Sequence, residues 1–579
     1  MCLSFQVHQR TLDALITPKH KDRPSTRAAG CRQCGGSITI ARDTRCGNLE
    51  NADPPPTAAF IPIITMQIKA NFISRPQQTP SPPLPRSEVT PDTDSDSSSD
   101  DDLPPYASPF LKFINAAPTV YHAVDFFASE LTRAGYSRLL EKDDWSSTLK
   151  PGGKYFVTRN QSSLIAFGVG DEYKAGEGGV AFIGSHIDAL ALKVKPVSNL
   201  PTKSGYLQLG VAPYAGAMNS TWWDRDLGLA GRVMLKQEDG SVKHTLVRLP
   251  RPIGRIPTLA PHFGAPSQGP FDKETRMTPI VGLEKEVAHS LEDRVDGMKV
   301  TSSGIPVNDA QKNHHPRLLK ALAKELKRDV SDIVDFDLEM FDTHAAQPFG
   351  LDSEFLSTPR CDDKLCSYAA IQGLINATKD GALKGCGIVR LVGLFDDEEV
   401  GSRLRQGAAS NFLPGVVERV VGTLKENGED VANLMHRTWA KSFFISADVI
   451  HAVNPNFEDA YEPHHSPRLN TGPVISCDPN GHMTTDAPSK YLVSLIASRT
   501  SPPTTLQLFQ IRNGQPSGGT IGPMLSTMTG VMSVDMGLPQ LSMHSIRATT
   551  GAEDVGLGVV FFEGFFREYE EVGKMVVVD

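Results

Sequence analysis

Four consecutive acids, Asp396-Asp397-Glu398-Glu399, follow directly on an apolar run at residues 388–395, and Val400-Gly401-Ser402 closes the stretch. Like charges gathered at the end of a buried strand repel one another. Such a cluster is tolerated when a cation sits among the acids, or when they fan out into water, and this stretch alone supports either reading. Other ligand types recur in the same kind of place. His186 and Asp188 follow an apolar run at 179–183, Asp362 sits in Pro359-Arg360-Cys361-Asp362-Asp363, Asp448 ends Ile445-Ser446-Ala447-Asp448, and His544 lies in Met543-His544-Ser545-Ile546-Arg547. Imidazole nitrogen and carboxylate oxygen are ligands that zinc accepts at four or five coordination. Two imidazoles and three carboxylates can hold two divalent ions if one carboxylate bridges them. A pair of ions ~3.5–4 Å apart generates a nucleophile from water at neutral pH and polarises a carbonyl. Hydrolysis also needs a carboxylate that is not a ligand, to carry the proton. The adjacent Glu398 and Glu399 can supply one of each. Asp188 is close enough to His186 to accept its other ring N–H and fix the tautomer. Each residue taken singly also reads as a hydrogen-bonded loop residue.

Ligands spread over several strand ends require an α/β scaffold, because sites in such folds lie outside the carboxyl ends of the sheet. The pattern supplies the elements. Helical spacing of Ala123, Phe126, Phe127 and Leu131 predicts a helix over 120–131, and strands are predicted at 154–158, 163–168 and 179–183. Period-2 apolar residues continue through Leu190, Leu192 and Val194. Residues 197–345 change character. Residues 232–249 alternate around Asp239-Gly240, a hairpin signal, and Leu318, Leu319, Leu322, Ala323 and Leu326 form an amphipathic helix. The α/β pattern then resumes, with a helix at 366–377, strands at 388–395 and 443–447, and a largely helical 404–424 interrupted at Pro414-Gly415. Residues 506–511, 531–534 and 559–562 read as further strands. The expected fold is an α/β catalytic domain with a central mixed sheet, formed by 106–196 and 346–579, with a β-rich domain inserted at 197–345.

Residues 1–105 carry Pro/Ser/Thr-rich runs and an acidic Ser/Asp block, a composition that cannot bury enough apolar surface to fold, and are expected to be a disordered extension. Met66 is an expected real or alternative start. Cys31, Cys34 and Cys46 lack a matching histidine for a zinc knuckle. The 579 residues amount to roughly three or four domains' worth of chain. A net charge of −9 argues against nucleic acid as the main partner. No apolar run reaches the ~18 residues of a membrane span, so integral membrane association is not expected. Eight scattered cysteines suit a reducing compartment.

The ligand stretches come in a fixed order with further ones: Val211-Ala212-Pro213-Tyr214, Trp223-Asp224-Arg225-Asp226-Leu227-Gly228, Pro261-His262-Phe263-Gly264, Asp478-Pro479-Asn480-Gly481-His482-Met483 and Gly518-Gly519-Thr520-Ile521-Gly522-Pro523. Together, over residues 106–579, they resemble the aspartyl aminopeptidase family of di-zinc metallopeptidases, and most of all its fungal vacuolar aminopeptidase I branch. The resemblance implies a metalloaminopeptidase acting on peptides with two zinc ions per subunit. Asp362 would bridge them, His186 and Asp448 would complete one ion, and Glu399 and His544 the other. Glu398 would be the general base and Asp188 would orient His186. His262 would project from the inserted dimerisation domain into a neighbouring subunit's site and stabilise the tetrahedral intermediate. The assembly implied is a homododecamer built from dimers, and Gly519 and Thr471 would face substrate. Vacuole and cytoplasm are both open as locations.

One departure bears on specificity. Acid-preferring members carry a Lys just before the Gly-Pro-Val of the segment after the Asp448 strand, and here that place is Thr471. A threonine cannot supply the charge that would pair with a substrate carboxylate. Neutral apolar N-terminal residues are therefore expected to be preferred over acidic ones. Asp363 and Asp397 are further departures, adding negative charge where many relatives carry Asn. The competing readings are an Asp/Glu-preferring aminopeptidase, another binuclear hydrolase such as a carboxypeptidase or deacylase, and an inactive oligomeric vacuolar cargo.

Overall fold

The computed structural model describes residues 103–284 and 310–578. The N-terminal extension up to residue 102, with Met66, Cys31, Cys34 and Cys46, lies outside the described residues.

A nine-stranded mixed sheet forms the centre. Its four middle strands, Val389–Phe395, Val180–His186, Phe443–Ala447 and Met532–Gly537, are mutually parallel, with Phe395 opposite His186 and Ser446 opposite Asp535. They are almost wholly buried because both faces are covered. Successive side chains point to opposite faces. Ala181, Ile183, Val392 and Ile445 therefore enter one core with helices Ala107–Ala116, Val120–Arg133, Cys361–Thr378, Ala487–Arg499 and Asp554–Val572. Val180, Phe182, Leu391 and Phe444 enter the other, against Phe412–Leu424, Val431–Ala440 and Gly522–Thr529. Parallel neighbours end at one rim, so the residues after these strands are brought together.

A second sheet of six strands lies wholly between Ala191 and Leu283 plus Ile333–Asp342. Its hairpin joins Leu227–Lys236 to Val242–Arg248 through a turn in which Gly240 takes φ +81°. Helix Pro316–Leu326 buries Leu319, Leu322 and Ala323 against this sheet. A third sheet of five short strands includes Phe355–Thr358, Pro539–Leu541 and Ala548–Gly551, and flanks the segments that hold Asp362 and His544.

Two expectations fail. Residues 559–562 belong to the Asp554–Val572 helix and are not a strand. A run of four large apolar residues reads equally as a strand or as a helix buried on most sides. Val559, Phe561, Phe562, Phe565 and Phe566 are all fully buried, so the helix is wrapped by core. Residues 404–411 form no helix, and the helix starts at Phe412 with Pro414 in its first turn. Proline is tolerated there because the N–H it lacks would have no partner in the helix.

Candidate metal centre

The rim of the parallel strands supplies three of the expected ligands. His186 is the last residue of its strand and is 1 % exposed. Asp448 follows the Phe443–Ala447 strand, and its N–H donates to Met536 O at 3.2 Å. A Cβ at Gly537 would lie 1.7 Å from Asp448 O, so only glycine lets the neighbouring strand come this close. Glu399 lies in the short Glu398–Val400 turn after Val389–Phe395. Asp362 comes from the start of helix Cys361–Thr378 and His544 from the loop after Pro539–Leu541. Arg360, Asp397 and His544 take left-handed backbone (φ +57°, +63°, +61°), a region most side chains avoid and one that recurs at functional sites.

These side chains make two ligand sets that share one carboxylate. His186 Nε2 is 3.1 Å from Asp362 Oδ1 and 3.5 Å from Asp448 Oδ1. His544 Nε2 is 3.4 Å from Asp362 Oδ2 and 3.6 Å from Glu399 Oε2. Each oxygen of Asp362 thus faces a different histidine, and each set offers atoms close enough to hold an ion. Glu399 Oε1 is buried without a hydrogen-bond partner in the protein, a state that a buried carboxylate oxygen rarely keeps unless a cation or a water meets it. The donor set of imidazole and carboxylate suits zinc. The residues present therefore fit a pair of such ions. Glu398 stands beside the sets, its Oε2 4.0 Å from His186 Nε2.

The electrostatics agree with a centre that calls for positive charge. Burial, reinforced by Asp448, Asp188 and Asp362 against the opposing effect of His186, pushes Glu398 up to about 8. Burial and the neighbouring Asp362 push Glu399 well above the carboxylate range. Burial opposes protonation of His186, but Asp448, Asp188 and Asp362 outweigh it and hold the imidazole well above its ordinary value.

Asp188, 2 % exposed, organises the rim. Its Oδ1 lies 3.3 Å from His186 Nδ1 and accepts the Glu398 N–H at 3.2 Å. Its Oδ2 accepts the Glu399 N–H at 3.2 Å and the Tyr214 hydroxyl at 2.7 Å. Helix Cys361–Thr378 secures the same strand end: Ser367 Oγ donates to His186 O at 2.7 Å and Lys364 Nζ to Ile187 O at 2.7 Å. Asp363 is fully buried and accepts from Ser185 Oγ at 2.6 Å. Asp397 accepts from Gln406 Nε2 at 2.7 Å, and burial raises Asp396 to about 8.

Three expected site residues stand apart from this cluster. His262 is exposed in the Pro261–Phe263 turn and has no hydrogen bond or ion pair to any ligand candidate among the described residues. Thr471 donates its Oγ1 to Leu469 O and its N–H to Asp554 Oδ1. Gly519 is exposed, in the loop before helix Gly522–Thr529. Sequence reading assigned no role to Tyr214, Gln406 or Asn219, whose Nδ2 donates to His544 O at 2.8 Å. It also passed over His451, which packs against the Phe509 ring at 5.7 Å. Desolvation lowers the His451 imidazole, with Asp362, His544 and Asp448 near enough to act on it.

Comparison with known proteins bears on this geometry. The family model of the aminopeptidase I zinc metalloproteases (M18) matches residues 113–566. An aspartyl aminopeptidase of Aspergillus oryzae is 41% identical over 485 residues, covering 81% of this chain and 97% of that protein. Vacuolar aminopeptidase 1 of Saccharomyces cerevisiae is 42% identical over 481 residues, covering 81% and 90%. The crystal structure of prApe1 superposes with a TM-score of 0.75 at 42% identity, covering 81% of this chain and 95% of that one. The mApe1 dodecamer of S. cerevisiae superposes at 0.70 with 38% identity, covering 81% and 98%.

Proposed function

The chain belongs to the aminopeptidase I zinc metalloprotease family and is a zinc metalloaminopeptidase; from that premise we propose how its residues divide the work. The observation that carries the proposal is the pair of ligand sets joined at Asp362, with Glu398 beside them and outside both. His186, Asp362 and Asp448 would hold one zinc, and Asp362, Glu399 and His544 would hold the second. When bound, the pair supplies Lewis acidity that acidifies water and polarises the scissile carbonyl. Glu398 takes the proton of the attacking water on its carboxylate and returns it to the leaving amine. Asp188 accepts the His186 Nδ1–H, so that Nε2 presents its lone pair to the metal. Metal content measured beside turnover in Glu398→Gln tests the assignment, since the base is lost and all ligands are kept.

The preferred N-terminal residues are neutral and apolar, because Thr471 brings no cation to meet an acidic side chain. An acid-preferring enzyme is the second reading, favoured by the name of the A. oryzae relative. Residues 106–196 and 346–579 form the catalytic domain and 197–345 an inserted dimerisation domain, with strand Ala191–Asn199 of the second sheet running across the first boundary. The working assembly is a homododecamer of dimers, a reading supported by the dodecameric mApe1 and by the exposure of His262, which is free to serve a neighbouring subunit's centre. Gly519 lines the substrate side. The site of action is the vacuole or the cytoplasm, and among the described residues no helix is long and apolar enough to cross a membrane.

A further inference from the structure

The second sheet is not confined to assembly: one short segment leaving it touches both ends of the metal centre. Strand Tyr206–Tyr214 ends at Tyr214, whose hydroxyl donates to Asp188 Oδ2 at 2.7 Å. Asp188 in turn lies against His186 Nδ1 and accepts the N–H groups of Glu398 and Glu399. Five residues on, Asn219 Nδ2 donates to His544 O at 2.8 Å. Thr221 Oγ1 accepts the Ile546 N–H at 2.9 Å, so the His544 loop is held at the histidine's own carbonyl and again two residues beyond it. Asn219 Oδ1 accepts from the Thr221 N–H and Oγ1, which holds the two gripping residues in one turn.

The segment is itself anchored. Lys193 Nζ sits 4.0 Å over the Tyr214 ring and 3.6 Å from Glu339 Oε1, and Lys193 and Glu339 are paired across neighbouring strands of the second sheet. Ala215 and Met218 take φ +55° and +61°, bends that side chains other than glycine avoid unless contacts hold them. Ala217 and Met218 are buried among the apolar side chains of the second sheet.

We propose that residues 214–221 are a positioning strap, in which Tyr214 acts through Asp188 on His186 and the Glu398–Glu399 turn while Asn219 and Thr221 act on the His544 loop. The strap makes the second sheet part of the catalytic apparatus of its own subunit. This rests on the two-zinc assignment above.

The test uses the assembled, zinc-loaded enzyme and the variants Tyr214→Phe, Asn219→Ala and Thr221→Val. Each is expected to lower kcat about tenfold with KM moved less than about twofold, the scale of one lost hydrogen bond to a charged or pre-organised group. Each is also expected to lose zinc to dipicolinate at a severalfold lower concentration than the wild type. In the double variant Asp188→Asn/Tyr214→Phe the tyrosine change should add little to the loss already caused at Asp188, since the Tyr214 hydroxyl bears on Asp188 at 2.7 Å and on Asp397 only at 3.4 Å. A purely structural role would make the two losses multiply. Unchanged kcat and chelator resistance in all three single variants, a multiplicative double variant, or losses confined to KM would overturn the strap. Thr221→Val, which is nearly isosteric, decides the His544 side if Tyr214→Phe does not fold. An active Glu398→Gln would instead overturn the centre's assignment, whereas an inactive Glu398→Gln with wild-type strap variants would overturn the strap alone.

Discussion

Asp188 Oδ1 accepts the backbone N–H of Glu398 at 3.2 Å while facing His186 Nδ1 at 3.3 Å. One carboxyl oxygen therefore registers His186 against the proposed base, and Asp188 and Glu398 lie 210 residues apart in sequence. Asp188→Asn replaces one acceptor oxygen with a donor amide, and cannot satisfy His186, Tyr214 and both backbone N–H groups together. Zinc affinity and kcat should each fall about 10- to 100-fold, the range for partners of metal-bound histidine. Zinc titration of the metal-free protein, followed by steady-state kinetics, checks both.

Glu398→Gln keeps the size of the side chain and removes its capacity to carry a proton. Turnover should fall by about 10²–10⁴ with two zinc ions per subunit retained. Wild-type turnover at full zinc content would remove Glu398 from the mechanism.

Asp362 and His544 should differ in what they cost. Asp362→Ala takes a ligand from both sets and should leave the protein unable to hold either ion tightly. His544→Ala takes one ligand from one set, and the His186 side should keep its ion. Native mass spectrometry at limiting zinc reads the difference directly, and equal losses in the two variants would contradict a bridging Asp362.

Hydrolysis of Leu-anilide should exceed that of Asp-anilide, and Thr471→Lys should move the ratio toward Asp by restoring a cation. Thr471 binds its neighbours through its N–H and a short Oγ1 contact, so the longer side chain can leave toward solvent without breaking the Asp554 contact. Faster cleavage of Asp by the wild type would reverse the assignment.

The centre was legible where ligand types stand at the ends of apolar runs, as His186, Asp448 and Glu399 do. The parallel middle of the sheet turns those separate sequence positions into one rim. Asp362 and His544 became readable through their order in the chain and their family likeness. Tyr214, Asn219 and Gln406 were not, because they act through hydrogen bonds that no local period records; Asn219 reaches His544 over 325 residues. The helical fate of 559–562 was hidden for a different reason. Burial on several sides erases the 3.6-residue polar face by which a helix is recognised. The start of a helix at Phe412 was similarly obscured, since Pro414 reads as an interruption before one knows it lies in the first turn.

The two histidines of the centre differ in their contact with water: the side chain of His186 is 1 % exposed and that of His544 is 54 % exposed. The halves of the site should therefore differ in how fast they exchange metal even where their donors are alike. Metal should leave and enter on the His544 side first, so partial stripping yields a single half-loaded species rather than a mixture. A foreign divalent ion offered during refilling should then settle on that open side, giving a mixed-metal enzyme whose order of assembly is built into the burial of one imidazole.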